Sequence, residues 1–240
     1  MEKKLLKEIT KFIEPKIADF HQSRLKHLLV LKLKNVLKRK NPYLFKAKDI
    51  STSQDLVKSI LDAHLSSQEE AIFGAVLESL AIFICNKVYR GGKSSSEGID
   101  LEFKKDKKQY IVSIKSGPNW ANSGQIKNML DNFKKAKIIG GAHIVAINGC
   151  CYGVDDSPNK GDYMKLCGQR FWEFISGHDD LYIDIIEPLG HKAREKNAAF
   201  SEEYAKVINK FTKEFGDDYC DKDGAIRWNE LVKFNSKKKN

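Results

Sequence analysis

Glu97-Gly98-Ile99-Asp100-Leu101-Glu102-Phe103, a lysine-rich turn, and Tyr110-Ile111-Val112-Ser113-Ile114-Lys115-Ser116-Gly117-Pro118-Asn119-Trp120 form the stretch from which the fold is read. Both halves alternate apolar and polar residues with period two, which predicts two strands, each with one face toward a core. Ile99, Leu101 and Phe103 share one face, with Asp100 and Glu102 opposite. On the return strand Tyr110, Val112 and Ile114 form the apolar set, leaving Ser113 and Lys115 on the other side. Paired residues of an antiparallel hairpin lie on the same face, so matching the apolar sets gathers Asp100, Glu102, Ser113 and Lys115. A carboxylate can hold a hard cation such as Mg²⁺, which bridges to phosphate oxygens, while a neighbouring lysine orients or helps deprotonate water. The chemistry implied is metal-assisted phosphodiester hydrolysis. A cross-strand Asp/Lys pair on a solvated hairpin face is the competing reading.

Upstream, residues 69–89 predict a long helix, apolar almost all round, with Ile72, Phe73, Val76, Leu77, Leu80, Ile82, Phe83 and Ile84, and hence buried on several sides. Glu70, Gly74 and Glu78 lie on one stripe of it. A carboxylate in such a helix costs several kcal/mol unless it has a partner, and a bound cation is one such partner; a capped or salt-bridged surface Glu is the alternative. The linker Arg90-Gly91-Gly92-Lys93-Ser94-Ser95-Ser96 is cationic and hydroxyl-rich. It suits phosphate or base-edge contacts through Lys93 and Ser94, and reads equally as a plain loop.

Downstream of Lys115, Ser116, Asn119, Trp120, Asn122, Ser123 and Gln125 sit in a Gly/Pro turn rich in groups that contact phosphates and base edges. Trp120 is also readable as a structural wedge. Ser123 is positioned to cap a basic helix running to Lys137, whose N-terminus would face an anion. Residues 142–148 form a short apolar run, as in a buried central strand, with His143 packed inside it. Beyond a polar loop at 152–161 the chain reads as helical over 163–175, apolar over 181–190 with a stop near Pro188, and helical over 192–215. A Lys-rich tail follows at 237–239.

The chain has 240 residues, with 42 Lys plus Arg against 32 Asp plus Glu, a net charge of +10 that suits a polyanion. Its five cysteines have no CxxC spacing, which argues against a thiolate zinc site and for reduced thiols. No apolar run approaching a membrane span and no signal-like N-terminus stand out, so a cytoplasmic location is expected. The first forty residues read as two basic helices. One carries Leu5, Leu6, Ile9, Phe12 and Ile13 and is closed or bent at Pro15; the other runs from Ile17 to Lys40 and is followed by Asn41-Pro42. The linear division is a basic helical region at 1–50, an α/β core at 51–150 and a helical region at 151–240.

Gly98-Ile99-Asp100, followed after the turn by Ser113-Ile114-Lys115 and then Ser116-Gly117-Pro118-Asn119-Trp120, resembles the active-site core of the PD-(D/E)XK nuclease superfamily. The wording is most similar to the PmeII-like group of type II restriction endonucleases, with further likeness at Cys167–Phe174 and Ile186–Gly190. The resemblance implies an α/β fold, a mixed central sheet flanked by helices with an αβββαβ core and helical additions at both ends. It also implies an Mg²⁺ cofactor, site-specific hydrolysis of double-stranded DNA to 5′-phosphate ends, a homodimer and a cognate methyltransferase in the same system. Asp100 would hold the metal with Glu78 or Glu102 and the Ile114 carbonyl, and Lys115 would activate water. Many superfamily members place an acid on the helix before the Asp strand, which favours Glu78 over Glu70. Ser113 stands where the superfamily's second acid is expected, a poorer Mg²⁺ ligand. In one branch that acid moves to the following helix, where this chain has Asn128; Asp131 lies further along. A structure-selective nuclease and a catalytically degenerate DNA-binding relative are the alternatives.

Overall fold

A computed structural model describes residues 3–141, 143–191 and 193–238. Ala142, Lys192 and Lys239, each at the edge of an expected segment, lie outside the described residues. The chain divides into two compact units, Met1–Ile17 with Phe73–His191, and Ala18–Ile72 with Lys192–Asn240. Each unit is therefore assembled from two separate stretches of chain.

The first element, α1 (Lys3–Leu29), corrects the expected pair of basic helices, because it continues through Pro15. A proline inside a helix removes one hydrogen bond and costs about 3 kcal/mol. Burial of Ile9, Ile13, Ile17 and Leu28 at helical spacing offsets that cost. After α2 (Leu33–Leu37) and α3 (Pro42–Ala47), capped by the Asn41 side chain, comes α4 (Ser53–Tyr89). It is one long helix where short helices followed by a helix from Glu69 were expected. Thr52 starts it by accepting the Asp55 N–H at 3.1 Å. By length and composition α4 is apolar enough to cross a membrane, which corrects the expectation that no such run exists. Glu78 and Lys87 interrupt the run and hide its length from a search for unbroken apolar stretches. Its residues Val76, Leu77, Leu80, Ala81, Ile84 and Cys85 are buried within the protein.

In the first unit, β1 (Leu101–Lys105) and β2 (Lys108–Lys115) form an antiparallel hairpin with Leu101 opposite Val112 and Phe103 opposite Tyr110, the register predicted from the apolar sets. Asp106 and Lys107 both take positive φ, as a two-residue turn matched to strand twist requires. Next comes α5 (Ser123–Gly140), which carries the chain across so that β3 (Val145–Cys150) lies parallel to β2, with β4 (Met164–Cys167) parallel to β3. The result is a four-stranded mixed sheet in the order β1-β2-β3-β4. The order helix, hairpin, helix, strand is as expected. The strand β4 is not: the sequence pattern predicts a helix over 163–175, which would include its four residues. Pairing with β3 overrides local helical propensity there, and the helix begins only after Gly168, at α6 (Gln169–Ser176). Two short helices follow, α7 (Leu181–Asp184) and α8 (Ile186–Gly190).

Met129, Phe133 and Ala136 of α5 pack with Ile99, Ile111, Ile144 and Ala146 on one side of the sheet. Phe103 stacks on Tyr89 of α4 and on Tyr110, and meets Phe174 of α6 edge-on. His143 is exposed in the turn before β3 rather than packed, because the strand starts two residues after it. Gly149 in β3 admits Phe171 of α6: a Cβ there would lie 2.2 Å from the Phe171 ring. Gly149→Ala is expected to destabilise the protein by about 1–3 kcal/mol, read as a lower urea midpoint with unchanged slope.

The second unit is helical, and its core includes Leu33, Val36, Leu37, Phe45, Leu56, Leu61, Phe211 and Phe215. It also contains α9 (Ala193–Tyr219) and α10 (Trp228–Ser236). Arg24 ties it together, donating to Glu69 at 2.7 Å and Asn197 at 2.8 Å while its guanidinium lies over Phe200.

Candidate active site

Asp100 extends the hairpin one step past β1, its N–H donating to the Val112 carbonyl at 2.9 Å. Its carboxylate Oδ2 accepts the Ile114 N–H at 2.6 Å, so the side chain is anchored to the backbone of β2. Gly98, at φ +69, lets the chain enter this turn close against Asn132, whose Nδ2 would stand 2.1 Å from an added Cβ. Lys115, the last residue of β2, has Nζ 3.9 Å from Asp100 Oδ2, and both side chains reach solvent.

Glu78 comes to the same place from α4. Burial holds its carboxyl above the usual carboxylate range; the neighbouring Asp100 charge adds to this, and Lys93 and Lys115 oppose it. The Cys151 thiol is pushed up to about 12 by burial, with the Glu78 charge adding. Two acids and an ammonium thus converge where β2 and β3 end, with Lys93 and Cys151 close by. Ligand sites in sheets with parallel strands form at such carboxyl ends.

A sequence model of the type II restriction endonuclease EcoO109I family matches residues 7–197, most of the chain and all of the sheet. The chain belongs to that family. Its members are DNA-cleaving hydrolases, a chemistry to which a pair of carboxylates beside a lysine is suited. No curated protein matches the chain.

For this restriction endonuclease the other expected site residues fall as follows. Glu102 lies on β1, where its carboxylate accepts the Ser94 hydroxyl at 3.0 Å and its backbone pairs with Gly92. Lys93 is exposed in that loop. Ser113 is 2% exposed and turned inward. Ser116 faces Gly74 of α4, where an added Cβ would meet its hydroxyl at 2.8 Å. Asn119, Asn122, Ser123 and Gln125 are exposed at the start of α5. The helix cap is Asn122, not Ser123: the Asn122 side chain accepts the Gln125 N–H, and the Gln125 side chain accepts the Asn122 N–H. Asn122 prevails because it supplies the extended backbone of a cap together with Gln three residues on. Glu70 is exposed and belongs to the other unit, and Asn128 is exposed on α5.

Trp120 donates from Nε1 to Asn148 Oδ1 at 3.2 Å, and its ring lies 5.1 Å from Lys115 Nζ. Lys165 donates to the Pro118 carbonyl at 2.9 Å and pairs with Asp155, holding the loop before α5. Asn148, Cys151 and Lys165 were not singled out in the sequence. Asn148 carried a usable signal, a primary amide at the end of an apolar strand. The others become neighbours of the site through the loop after β3 and through β4.

Proposed function

We propose that the chain is a Mg²⁺-dependent endonuclease of the PD-(D/E)XK type that cuts double-stranded DNA at a specific site as a homodimer, leaving 5′-phosphate and 3′-hydroxyl ends, alongside a cognate methyltransferase. The observation that carries this reading is the convergence of Glu78, Asp100 and Lys115. The donors suit the cation in kind: two carboxylates that repel one another, one of them partly desolvated, are hard oxygen ligands for a hard metal. Glu78 and Asp100 with the Ile114 carbonyl would hold it, Glu102 being the further candidate. A bound Mg²⁺ would supply charge stabilisation for the phosphate in the transition state.

The chain's own residues do the rest. Asp100 is kept in place by the Ile114 N–H. Lys115 presents its ammonium beside Asp100 to orient the attacking water and to stabilise the hydroxide that forms as the water's proton passes to solvent. Lys93 offers a phosphate contact from an exposed loop. The capping box uses the side-chain oxygens of Asn122 and Gln125, which leaves their amide N–H groups as donors toward bases or phosphates. The PmeII-like wording of Cys167–Phe174 falls on β4 and α6, so it supports that grouping through the core rather than through the site.

Ser113 in place of an acid favours a second reading, a binding-only relative. Digestion of plasmid DNA by the purified protein with Mg²⁺ or EDTA separates the two. Discrete Mg²⁺-dependent fragments whose sequenced ends share a site are expected. Absence of cutting across several metals and DNAs would make the protein a binder, and cutting confined to branched DNA would make it structure-selective.

A further inference from the structure

Asn148 is 1% exposed in a strand that otherwise buries apolar residues. A buried amide left unmatched is destabilising, and both ends of this one are matched. Its Nδ2 donates to the Ser113 carbonyl at 3.2 Å, and its Oδ1 accepts the Trp120 indole N–H at 3.2 Å. Those partners flank Lys115, one on β2 just before it and the other in the loop just after it. The indole packs against the α5 core cluster, and its ring lies beneath the Lys115 ammonium, 5.1 Å from nitrogen to centroid. Lys115 needs such a constraint. Its 3.9 Å separation from Asp100 is too long for a hydrogen bond, and a lysine stem of four carbons sweeps a wide arc.

We propose that Trp120, locked by Asn148, is a positioning residue that holds the Lys115 ammonium over the reacting phosphate, and is not a side chain that reads DNA. The inference rests on the reading of Lys115 as the group that activates water. A cation over an indole face is attracted by the ring's negative face, most strongly when desolvated. Misplacing a reacting group by about 1 Å costs on the order of 10²-fold in rate. The indole N–H bond to a buried amide fixes the plane of the ring, and so fixes where the ammonium rests.

The test compares wild type, Trp120→Phe, Trp120→Leu and Lys115→Ala on the plasmid DNA of the digestion assay. Single-turnover cleavage rates are measured in Mg²⁺, DNA affinity by gel shift in EDTA, and melting temperature as a folding control. Trp120→Leu is expected to cut about 10- to 100-fold more slowly with affinity within about twofold of wild type. Trp120→Phe keeps a ring face but loses the N–H that Asn148 holds, so it is expected to recover only part of that loss, cutting about threefold or more faster than Trp120→Leu and still slower than wild type. Weakened affinity with an unchanged cleavage rate would make Trp120 a DNA contact and overturn the proposal. Equal losses in the Phe and Leu variants would assign the effect to packing and overturn it too. Wild-type cutting by Trp120→Leu while Lys115→Ala is inactive would remove the positioning role alone; cutting by Lys115→Ala would remove the reading of Lys115 on which it rests.

Discussion

Asp100→Ala and Lys115→Ala each lower Mg²⁺-dependent cleavage of plasmid DNA by about 10³-fold or more, and both proteins stay folded. The two losses have different physical origins. Asp100 combines a carboxylate for a cation with an acceptor for the Ile114 N–H, so alanine removes a ligand and leaves a backbone donor unmatched. Asp100→Asn separates these roles, because its amide oxygen still accepts the N–H while the charge is gone. It is expected to melt closer to wild type than Asp100→Ala does, and to cut as poorly. Lys115 is partly solvated, and its ion pair with Asp100 is long, so its removal changes stability by less than about 1 kcal/mol. Its loss therefore shows in the single-turnover rate and not in the melt. If either alanine variant cuts at the wild-type rate, the hairpin is not the reaction centre.

The hairpin was legible because a period-two pattern leaves little choice of register. Slipping by one residue would turn Leu101, Phe103, Val112 and Ile114 together from the side packed on α4 and α6 to the side packed on α5, where Ile111 sits. Glu78 was legible for a related reason: a lone acid amid buried apolar turns needs a partner, and Asp100, Lys93 and Lys115 are all close to it. Elsewhere the deciding forces are not local. Met164–Cys167 becomes a strand because the open edge of β3 accepts it, and Pro15 sits inside a helix because the turns on either side bury Ile9, Ile13 and Ile17. Trp120 was visible as a residue beside the site. Its bond to Asn148 depends on β3 returning parallel to β2, a relation that no spacing along the chain encodes.

Glu78→Gln is expected to abolish cleavage while stabilising the metal-free protein, a pair of effects that a purely structural glutamate would not produce. Burial and the Asp100 charge raise the Glu78 carboxyl above its ordinary value of 4.5. The folded protein therefore holds this proton more tightly than the unfolded chain does. By linkage, the associated stability is fully present below the ordinary carboxylate value and is lost as pH rises through the raised one. At neutral pH metal-free wild type bears that loss and Glu78→Gln does not. The variant should therefore melt higher than metal-free wild type at neutral pH. The gap should close in acid, where wild-type Glu78 is protonated. Mg²⁺ reverses the order if Glu78 is its ligand, since a cation compensates the desolvated charge and raises the wild-type melt more than the variant's. Proton and metal then compete for one carboxylate. Cleavage at limiting Mg²⁺ falls as pH drops through the raised Glu78 value, and more Mg²⁺ moves that midpoint to lower pH. A Glu78→Gln enzyme that cuts about as fast as wild type, with an unchanged Mg²⁺ response, would transfer the second acid's role to Glu102. Glu102→Gln would then be the inactive variant, and the bond from Ser94 would become the contact that steers the metal-binding carboxylate.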